Sequence, residues 1–195
     1  MPIHYHLFGA KGGVGTTTVA AALALTASTD RLTDVRAVHR DDLYAVLGFG
    51  GRDYPDGQPV TGDGNLTMFD HGERASLGGT IIVNDNGTNI DVIGDAIGYR
   101  LLVTRGCYMA LRRAVHEEAV KRIDGIILVE EPGRALGRRE VADVLGKPIV
   151  ASIPVKDTIC RAIDAGVLVH RLPDDLRRAA REILTALPAV SPVRA

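Results

Sequence analysis

The sequence predicts an α/β fold in which a parallel β-sheet is flanked by helices on both faces. Short apolar runs alternate along the chain with longer stretches of helical periodicity, which is typical of a parallel sheet covered on both sides. The chain has 195 residues, of which 46% are hydrophobic and 24% charged, and this suffices for one domain with a substantial core. We expect that domain over residues 1–187 and a flexible tail over residues 188–195.

The first half of the chain begins with a strand and a helix. Residues 3–9 form a β-rich run that ends in glycine, and residues 17–28 are rich in Ala and Leu over a length sufficient for a helix. Residues 35–39 predict a second strand, whereas Gly, Asp and Pro in residues 48–64 predict a loop. The remaining apolar runs of this half, residues 66–69 and 80–83, are short, and the second predicts a buried strand.

The second half continues the alternation of strands and helices. Strands are predicted over residues 101–104, 126–129 and 149–153, and helices over residues 108–122, 138–145 and 174–187. Leu176, Ala180 and Ile183 recur at helical spacing in the last helix, and acidic residues stand at its N-terminal end.

Composition excludes several classes of protein. Aromatic residues make up 4% of the chain and Trp is absent, which argues against platforms that stack single-stranded nucleic acid. Cys107 and Cys160 match no metal or redox spacing, and we expect both to be buried thiols in a reducing cytosol. Because no apolar run is long enough to span a bilayer and no signal-peptide pattern is present, we expect a cytoplasmic protein.

Charge is unevenly distributed along the chain. Residues 1–100 contain 7 Lys and Arg against 12 Asp and Glu, whereas residues 101–195 contain 16 against 12. A basic half favours a polyanionic partner, although a mixed, solvated surface has the same composition. His4 and His6 alternate along the first strand, where an edge-strand surface pair is a simpler interpretation than a metal site.

The segment FGAKGGVGTTT, residues 8–18, lies between the first strand and the first helix. Gly12, Gly13 and Gly15 permit backbone conformations that let successive N–H groups converge on a phosphate, and the helix adds its positive end. Thr17 stands where a hydroxyl can reach a phosphate-bound Mg²⁺. The alternative is a purely structural turn, but the pattern favours a phosphate-binding loop.

KGGVG-x-T-T at this turn resembles the deviant Walker A motif of the ParA/MinD ATPases, a family of P-loop NTPases. Similar segments follow through residue 187, including IIVNDNG at residues 81–87 and LLVT at residues 101–104. The resemblance implies that ATP and Mg²⁺ are bound, and that Lys11 reaches the nucleotide of the partner in a homodimer. The residues that it assigns to the nucleotide are Lys11, Gly12, Gly13, Val14, Gly15, Thr16, Thr17, Thr18 and Pro154.

The resemblance also implies two acidic roles. Thr17 and Asp85 are expected to hold Mg²⁺, with Asn84 and Asp70 as alternatives for the second ligand, and Asp85 is preferred because its strand is more apolar. Asp41 is expected to orient the attacking water, because it lies at the end of the second strand.

Three departures from the family pattern weaken the case for catalysis. Thr16 replaces the usual P-loop lysine, His39 or Arg40 replaces the first aspartate after the second strand, and Val129 replaces the asparagine that reads adenine. A small residue at position 16 resembles instead the CpaE/TadZ branch, which is linked to pilus assembly and polar localisation. We therefore expect nucleotide binding with weak or absent ATP hydrolysis.

The resemblance offers more than one function. ParA-like proteins bind DNA non-specifically and act with a ParB-like partner, whereas a CpaE/TadZ-like scaffold acts with pilus-assembly proteins, and a dethiobiotin-synthetase-like ligase is a third alternative. MinD-like proteins end in an amphipathic membrane helix, which residues 188–195 are not expected to form, so we do not expect membrane targeting by that route. The DNA-contact candidates are the arginines of the C-terminal half, Arg112, Arg113, Arg138, Arg139, Arg171, Arg177, Arg178 and Arg181.

Overall fold

The computed structural model describes residues 2–49, 60–61, 64–70, 79–90 and 97–187. The strands are Ile3–Phe8 (β1), Thr33–Ala37 (β2), Val60–Thr61 (β3), Leu66–Asp70 (β4), Ile81–Asp85 (β5), Tyr99–Arg105 (β6), Gly125–Glu130 (β7) and Ile149–Pro154 (β8). The helices are Thr16–Ala27 (α1), Arg40–Leu47 (α2), Tyr108–His116 (α3), Arg138–Leu145 (α4), Asp157–Asp164 (α5) and Asp174–Ala186 (α6), and a short 3-10 helix spans Glu118–Arg122. The predicted tail and most of the predicted loop over residues 48–64 lie outside the described residues.

The strands form one sheet in the order β3-β4-β2-β5-β1-β6-β7-β8. Seven of them run parallel, and β3 pairs antiparallel with β4 at one edge. The α/β prediction is therefore confirmed. Because the strands are parallel, the loops that follow β1, β2 and β5 leave the sheet at the same edge, where ligands bind in open α/β sheets.

Helices cover both faces of the sheet. One face, with Tyr5, Leu7 and Val83, shares a buried cluster with residues of α1, α2, α5 and α6. On the other face, Phe8 and Leu102 share a second cluster with α3 and α4. Helix α1 is rich in buried alanines, and it packs against both β5 and α6. The small side chains allow that close packing, which fixes the start of α1 against the sheet.

Polar residues occupy part of the second sheet face. His6 and Asn84 are each 8% exposed and Asp34 only 2%. His4 and His6 stack with their ring centroids 5.8 Å apart. The prediction of an edge-strand surface pair is wrong, because β1 lies in the middle of the sheet between β5 and β6. Within the described ranges, no group of three or more His, Cys, Asp or Glu could hold a metal ion.

Two predicted helical features differ from the structure. The predicted helix over residues 108–122 ends at His116, because Glu117 adopts extended backbone before the 3-10 helix begins. Helices α2 and α5, each of eight residues, were not predicted. The prediction of two buried thiols is also wrong, since Cys107 is half-buried and Cys160 is exposed on α5. No helix in the described part of the chain is long and apolar enough to cross a membrane.

Candidate nucleotide-binding site

The loop between β1 and α1 has the backbone of a phosphate cradle. Gly13 (φ +74°) and Gly15 (φ +100°) adopt left-handed conformations that favour glycine, and Gly15 directly precedes α1. Val14 is 3% exposed and packs into the core, so it anchors the loop while Gly12 and Gly13 stay exposed. The first turn of α1 contains no acidic side chain, which leaves its positive end available to an anion.

A cleft of about 480 Å³ opens over this loop. Its opposite wall comes from the start of α2 and from the turn after β5. Ligand-binding clefts in proteins commonly measure about 300–1,000 Å³, so the cleft is large enough for a small ligand. Its lining residues are Lys11, Gly12, Gly13, Gly15, Thr16, Thr17, Thr18, His39, Asp42, Ala45, Val46, Gly87 and Thr88.

Thr17 lines this cleft, and its side chain lies near Asp85. The Gly87 N–H donates to the Asp85 carboxylate at 3.0 Å, and the Thr17 side chain lies close enough to the same carboxylate to lower its pKa. Asp85 is 1% exposed, and burial raises the pKa of its carboxyl, opposed by the contacts with Thr17 and Gly87 and by the nearby His39. A hydroxyl beside a carboxylate is a donor set that suits Mg²⁺.

The two alternatives to Asp85 lie elsewhere. Asp70 ends β4, which β2 and β5 separate from β1. Asn84 points to the other face of the sheet from Asp85, and its amide lies 3.5 Å from the Tyr5 carbonyl oxygen. The geometry therefore favours Asp85 as the residue that pairs with Thr17.

The charged residues predicted for catalysis occupy different positions. Lys11 is exposed at the mouth of the cleft, and among the described residues it has no hydrogen-bond or ion-pair partner. The Asp41 side chain is 96% exposed, with its carboxylate 3.8 Å from the Arg40 Nε, and Asp41 does not line the cleft. Asp42, one residue later, does line it. A catalytic role for Asp41 thus has no support from this geometry.

His39 and Asp42 are site residues that the sequence reasoning did not place there. A signal was available, because residues 39–42 form a polar run directly after a strand, at the edge where the phosphate loop also lies. Of His39 and Arg40, only His39 lines the cleft, because Arg40 lies over the ring of Tyr44, 5.6 Å from its centroid.

The residues at the ends of β7 and β8, including those predicted to lie near the adenine base, are partly apolar and partly charged. Val129 is 7% exposed and lies beneath Gly15, with Cγ2 3.9 Å from where a Cβ on that glycine would stand. Pro154 pairs in register with Glu130 at the end of β8 and does not line the cleft. Beyond β7, Glu131 binds Arg134 and Arg105, and these contacts lower the pKa of Glu131 despite partial burial.

The candidate DNA-contact arginines fall into two groups on opposite faces of the sheet. The first group, Arg112, Arg113, Arg138 and Arg139, lies on α3 and α4. The second group, Arg171, Arg177, Arg178 and Arg181, lies on α6 and just before it.

Several of these guanidinium groups already have partners. Arg178 pairs with Asp175 at 2.7 Å, Arg139 lies 3.8 Å from Asp143, and Arg138 donates to the Ser152 hydroxyl at 2.6 Å. Arg177 donates to the Leu172 carbonyl at 3.2 Å. For the other four, Arg112, Arg113, Arg171 and Arg181, the described part of the chain provides no partner.

No protein-family model and no functionally characterised protein matches the sequence. Solved structures do match the fold. A ParA family ATPase from Chlorobium tepidum is 17% identical, with 96% of this chain and 99% of that chain covered and a TM-score of 0.75.

Two nucleotide complexes share the same architecture. The septum site-determining protein MinD of Pyrococcus horikoshii, complexed with Mg-ADP, is 16% identical over 94% of both chains, with a TM-score of 0.76. A Cyanothece McdA–ATP complex is 15% identical over 99% of both chains, with a TM-score of 0.74. The chain therefore has the α/β fold of the ParA and MinD P-loop ATPases.

Proposed function

We propose that this protein is an ATP-binding switch of the ParA/MinD type that dimerises on nucleotide and positions a cargo. The observation that carries the proposal is the proximity of Thr17 to the buried Asp85 beside a glycine loop with left-handed Gly13 and Gly15. These parts occur together at the carboxyl edge of a sheet whose fold is shared with proteins solved with Mg-ADP and with ATP.

Each residue of the loop has a distinct proposed role. The backbone of Gly12, Gly13 and Gly15 holds the phosphates together with the first turn of α1, and Thr17 and Asp85 hold Mg²⁺. Mg²⁺ supplies charge neutralisation between the phosphates when it is bound. Lys11 reaches toward the nucleotide of a second protomer, which is consistent with its exposure and its lack of a described partner within the chain.

The same site favours slow hydrolysis or none. Thr16 is 6% exposed and stands where the P-loop lysine of the family would supply a cation to the β- and γ-phosphates. Such ionic hydrogen bonds contribute about 1.5–3 kcal/mol each. The position of Asp41 outside the cleft removes a further expected contributor. A ligase of the dethiobiotin-synthetase type also needs that lysine, so this alternative is disfavoured. Release of ADP that depends on an added substrate would support it.

We favour DNA segregation as the process, because four arginines of the C-terminal half have no partner among the residues that the structure describes. The alternative, a CpaE/TadZ-like localisation scaffold, is supported by the loss of the lysine at Thr16. A ParB-like protein would be the partner in the first case and a pilus-assembly protein in the second. DNA affinity that falls steeply with salt distinguishes the two, because only the first function requires it.

The proposal is tested by calorimetric titration of ATP with Mg²⁺, with the molar mass measured by light scattering before and after. We expect micromolar binding and a doubling of mass in the wild type. In Lys11→Ala the doubling should be lost, because that lysine is proposed to act across the dimer.

Lys121→Ala is the matched control, since Lys121 is an exposed lysine that pairs with Glu118 at 2.6 Å and lies outside the cleft. It should bind ATP and dimerise like the wild type. Absence of binding at millimolar ATP would refute the proposed nucleotide switch. The protein would then be a constitutive scaffold with a degenerate phosphate loop.

A further inference from the structure

The side chain of His39 faces the phosphate loop from the opposite wall of the cleft. His39 follows β2 and precedes α2, and its ring lies beside Gly87, with Cδ2 and Nε2 at 3.4 and 3.6 Å from where a Cβ on that glycine would stand. Gly87 is also the residue whose N–H binds the Asp85 carboxylate. The ring therefore stands next to the proposed magnesium-binding pair.

The His39 ring is available to a ligand. Its backbone carbonyl accepts the Leu43 N–H at 3.3 Å, which fixes the residue at the start of α2, but its side chain does not cap the helix. The ring is exposed and makes no hydrogen bond within the described ranges. The charged groups that face it are Lys11 from the loop, Asp42 from α2 and Asp85 from β5.

Loss of the P-loop lysine makes His39 more important. With Thr16 in that place, the basic side chains that line the cleft are Lys11 on one wall and His39 on the other. Since Lys11 is proposed to serve the partner's nucleotide, His39 is left as the basic group of the same protomer. A phosphate chain that starts on the loop and the first turn of α1 extends toward His39 with its terminal group.

Resting on the proposed function, we infer that His39 is the specificity residue that recognises the terminal phosphate of ATP by donating a ring N–H to its oxygens. It would discriminate the triphosphate from the diphosphate, because ADP does not extend to its side of the cleft. A hydrogen bond to a charged group corresponds to a factor on the order of tenfold or more in affinity. The chemistry is recognition of an anionic oxygen by the ring N–H of His39.

The test compares the dissociation constants of ATP and ADP, each with Mg²⁺, by calorimetry. We expect His39→Ala to weaken ATP binding by about tenfold or more and ADP binding by less than about twofold. His39→Asn retains an N–H donor and should keep part of the preference for ATP. His170→Ala is the control, because His170 is an exposed histidine outside this cleft.

The outcomes separate this inference from the proposed function. A His39→Ala protein that keeps the wild-type ratio of ATP to ADP affinity, or loses both affinities equally, overturns the inference while the nucleotide site stands. Wild-type protein that binds neither nucleotide overturns the proposed function and the inference with it. Thermal unfolding of each variant without nucleotide checks that the fold is retained.

Discussion

The buried carboxylate of Asp85 lowers the stability of the fold when it is ionised, but it is suited to bind a cationic ligand. Burial raises the pKa of its carboxyl, so the folded chain binds a proton there more tightly than the unfolded chain does. Its contribution to stability therefore falls as pH rises above the unfolded pKa, and at neutral pH the ionised group costs free energy of folding. Groups that carry this cost are commonly functional.

Replacing Asp85 by Asn should stabilise the nucleotide-free protein and impair the site. The amide oxygen can still accept the Gly87 N–H, while the cost of a buried charge disappears. We expect a higher free energy of unfolding at pH 8 by urea titration, and loss of the Mg²⁺-dependent part of ATP affinity. Asp41→Asn, at a side chain that is 96% exposed, should change neither by more than about 0.5 kcal/mol. A destabilised Asp85→Asn protein would contradict the argument.

His6 should make the fold sensitive to mild acid. Burial, with smaller contributions from His4, Arg100 and Arg36, lowers the pKa of His6 to about 4, although its hydrogen bond to the Ile97 carbonyl opposes this. The unfolded chain therefore binds more protons between pH 6.5 and 4, so the contribution of His6 to stability is complete above pH 6.5 and is lost as pH falls.

The matched variant is His6→Gln, which keeps an N–H donor for that carbonyl. Relative to this variant, wild-type stability should fall by about 1.4 kcal/mol per pH unit below pH 6.5. Urea unfolding at several pH values measures the difference in stability between the two proteins. The titration of the carboxylates cancels in this difference because both proteins contain them. His170→Gln, at an exposed position, should follow the wild-type curve. Parallel curves for the wild type and His6→Gln would refute the assignment.

At the scale of elements, the last helix is tied to the first strand. Tyr5 is 1% exposed, its hydroxyl donates to the Leu187 carbonyl at 2.8 Å, and burial raises the pKa of Tyr5 to about 12. This bond satisfies a carbonyl at the end of α6, where no intrahelical partner exists.

Tyr5→Phe should lower the free energy of unfolding by about 1 kcal/mol, because it removes one buried hydrogen bond without changing the packing of the ring. Urea denaturation at neutral pH measures it. Tyr108→Phe is the control, since Tyr108 is 69% exposed and should leave stability unchanged. Equal stability of the wild type and Tyr5→Phe would mean that the end of α6 is held by its apolar contacts alone.

Most strands and several helices could be predicted from the sequence, whereas two helices held by distant contacts could not. Strand candidates such as residues 80–83 and 126–129 were found because they are continuous apolar runs, and α4 was predicted with its observed bounds, Arg138–Leu145. Helices α2 and α5 have the same length as α4 but were missed, and buried contacts such as those of Leu43, Leu47 and Ile159 stabilise them. Such contacts come from distant parts of the chain and leave little local pattern.

The same limit applies to the candidate site. Local spacing identified the phosphate loop, because its glycines and threonines are adjacent in sequence. Pairing of Thr17 with Asp85 depends on β5 lying beside β1, a non-local fact that left Asp70 open as an alternative. His39 and Asp42 reach the cleft only because β2 ends at the same edge.

For the whole molecule, the arginines of α3 are the better candidate for a DNA-binding surface than those of α6. The two groups lie on opposite faces of the sheet, so a duplex that contacts one group of a protomer does not contact the other. Helix α3 carries Arg112, Arg113 and His116 and contains no acidic residue, whereas α6 mixes its arginines with Asp174, Asp175 and Glu182. The positive field is therefore expected to be stronger at α3.

The double variant Arg112→Ala/Arg113→Ala should accordingly weaken binding to a non-specific duplex in the presence of ATP and lower the slope of log affinity against log salt by about 2. Fluorescence anisotropy at several salt concentrations measures both quantities. Arg139→Ala/Arg178→Ala removes the same charge from residues that already have acidic neighbours, and it should leave the slope nearly unchanged. Equal losses in the two variants would contradict the assignment of the DNA surface to α3. Wild-type protein without salt-dependent DNA binding would favour the localisation scaffold, because a scaffold that works by protein contacts needs no such field.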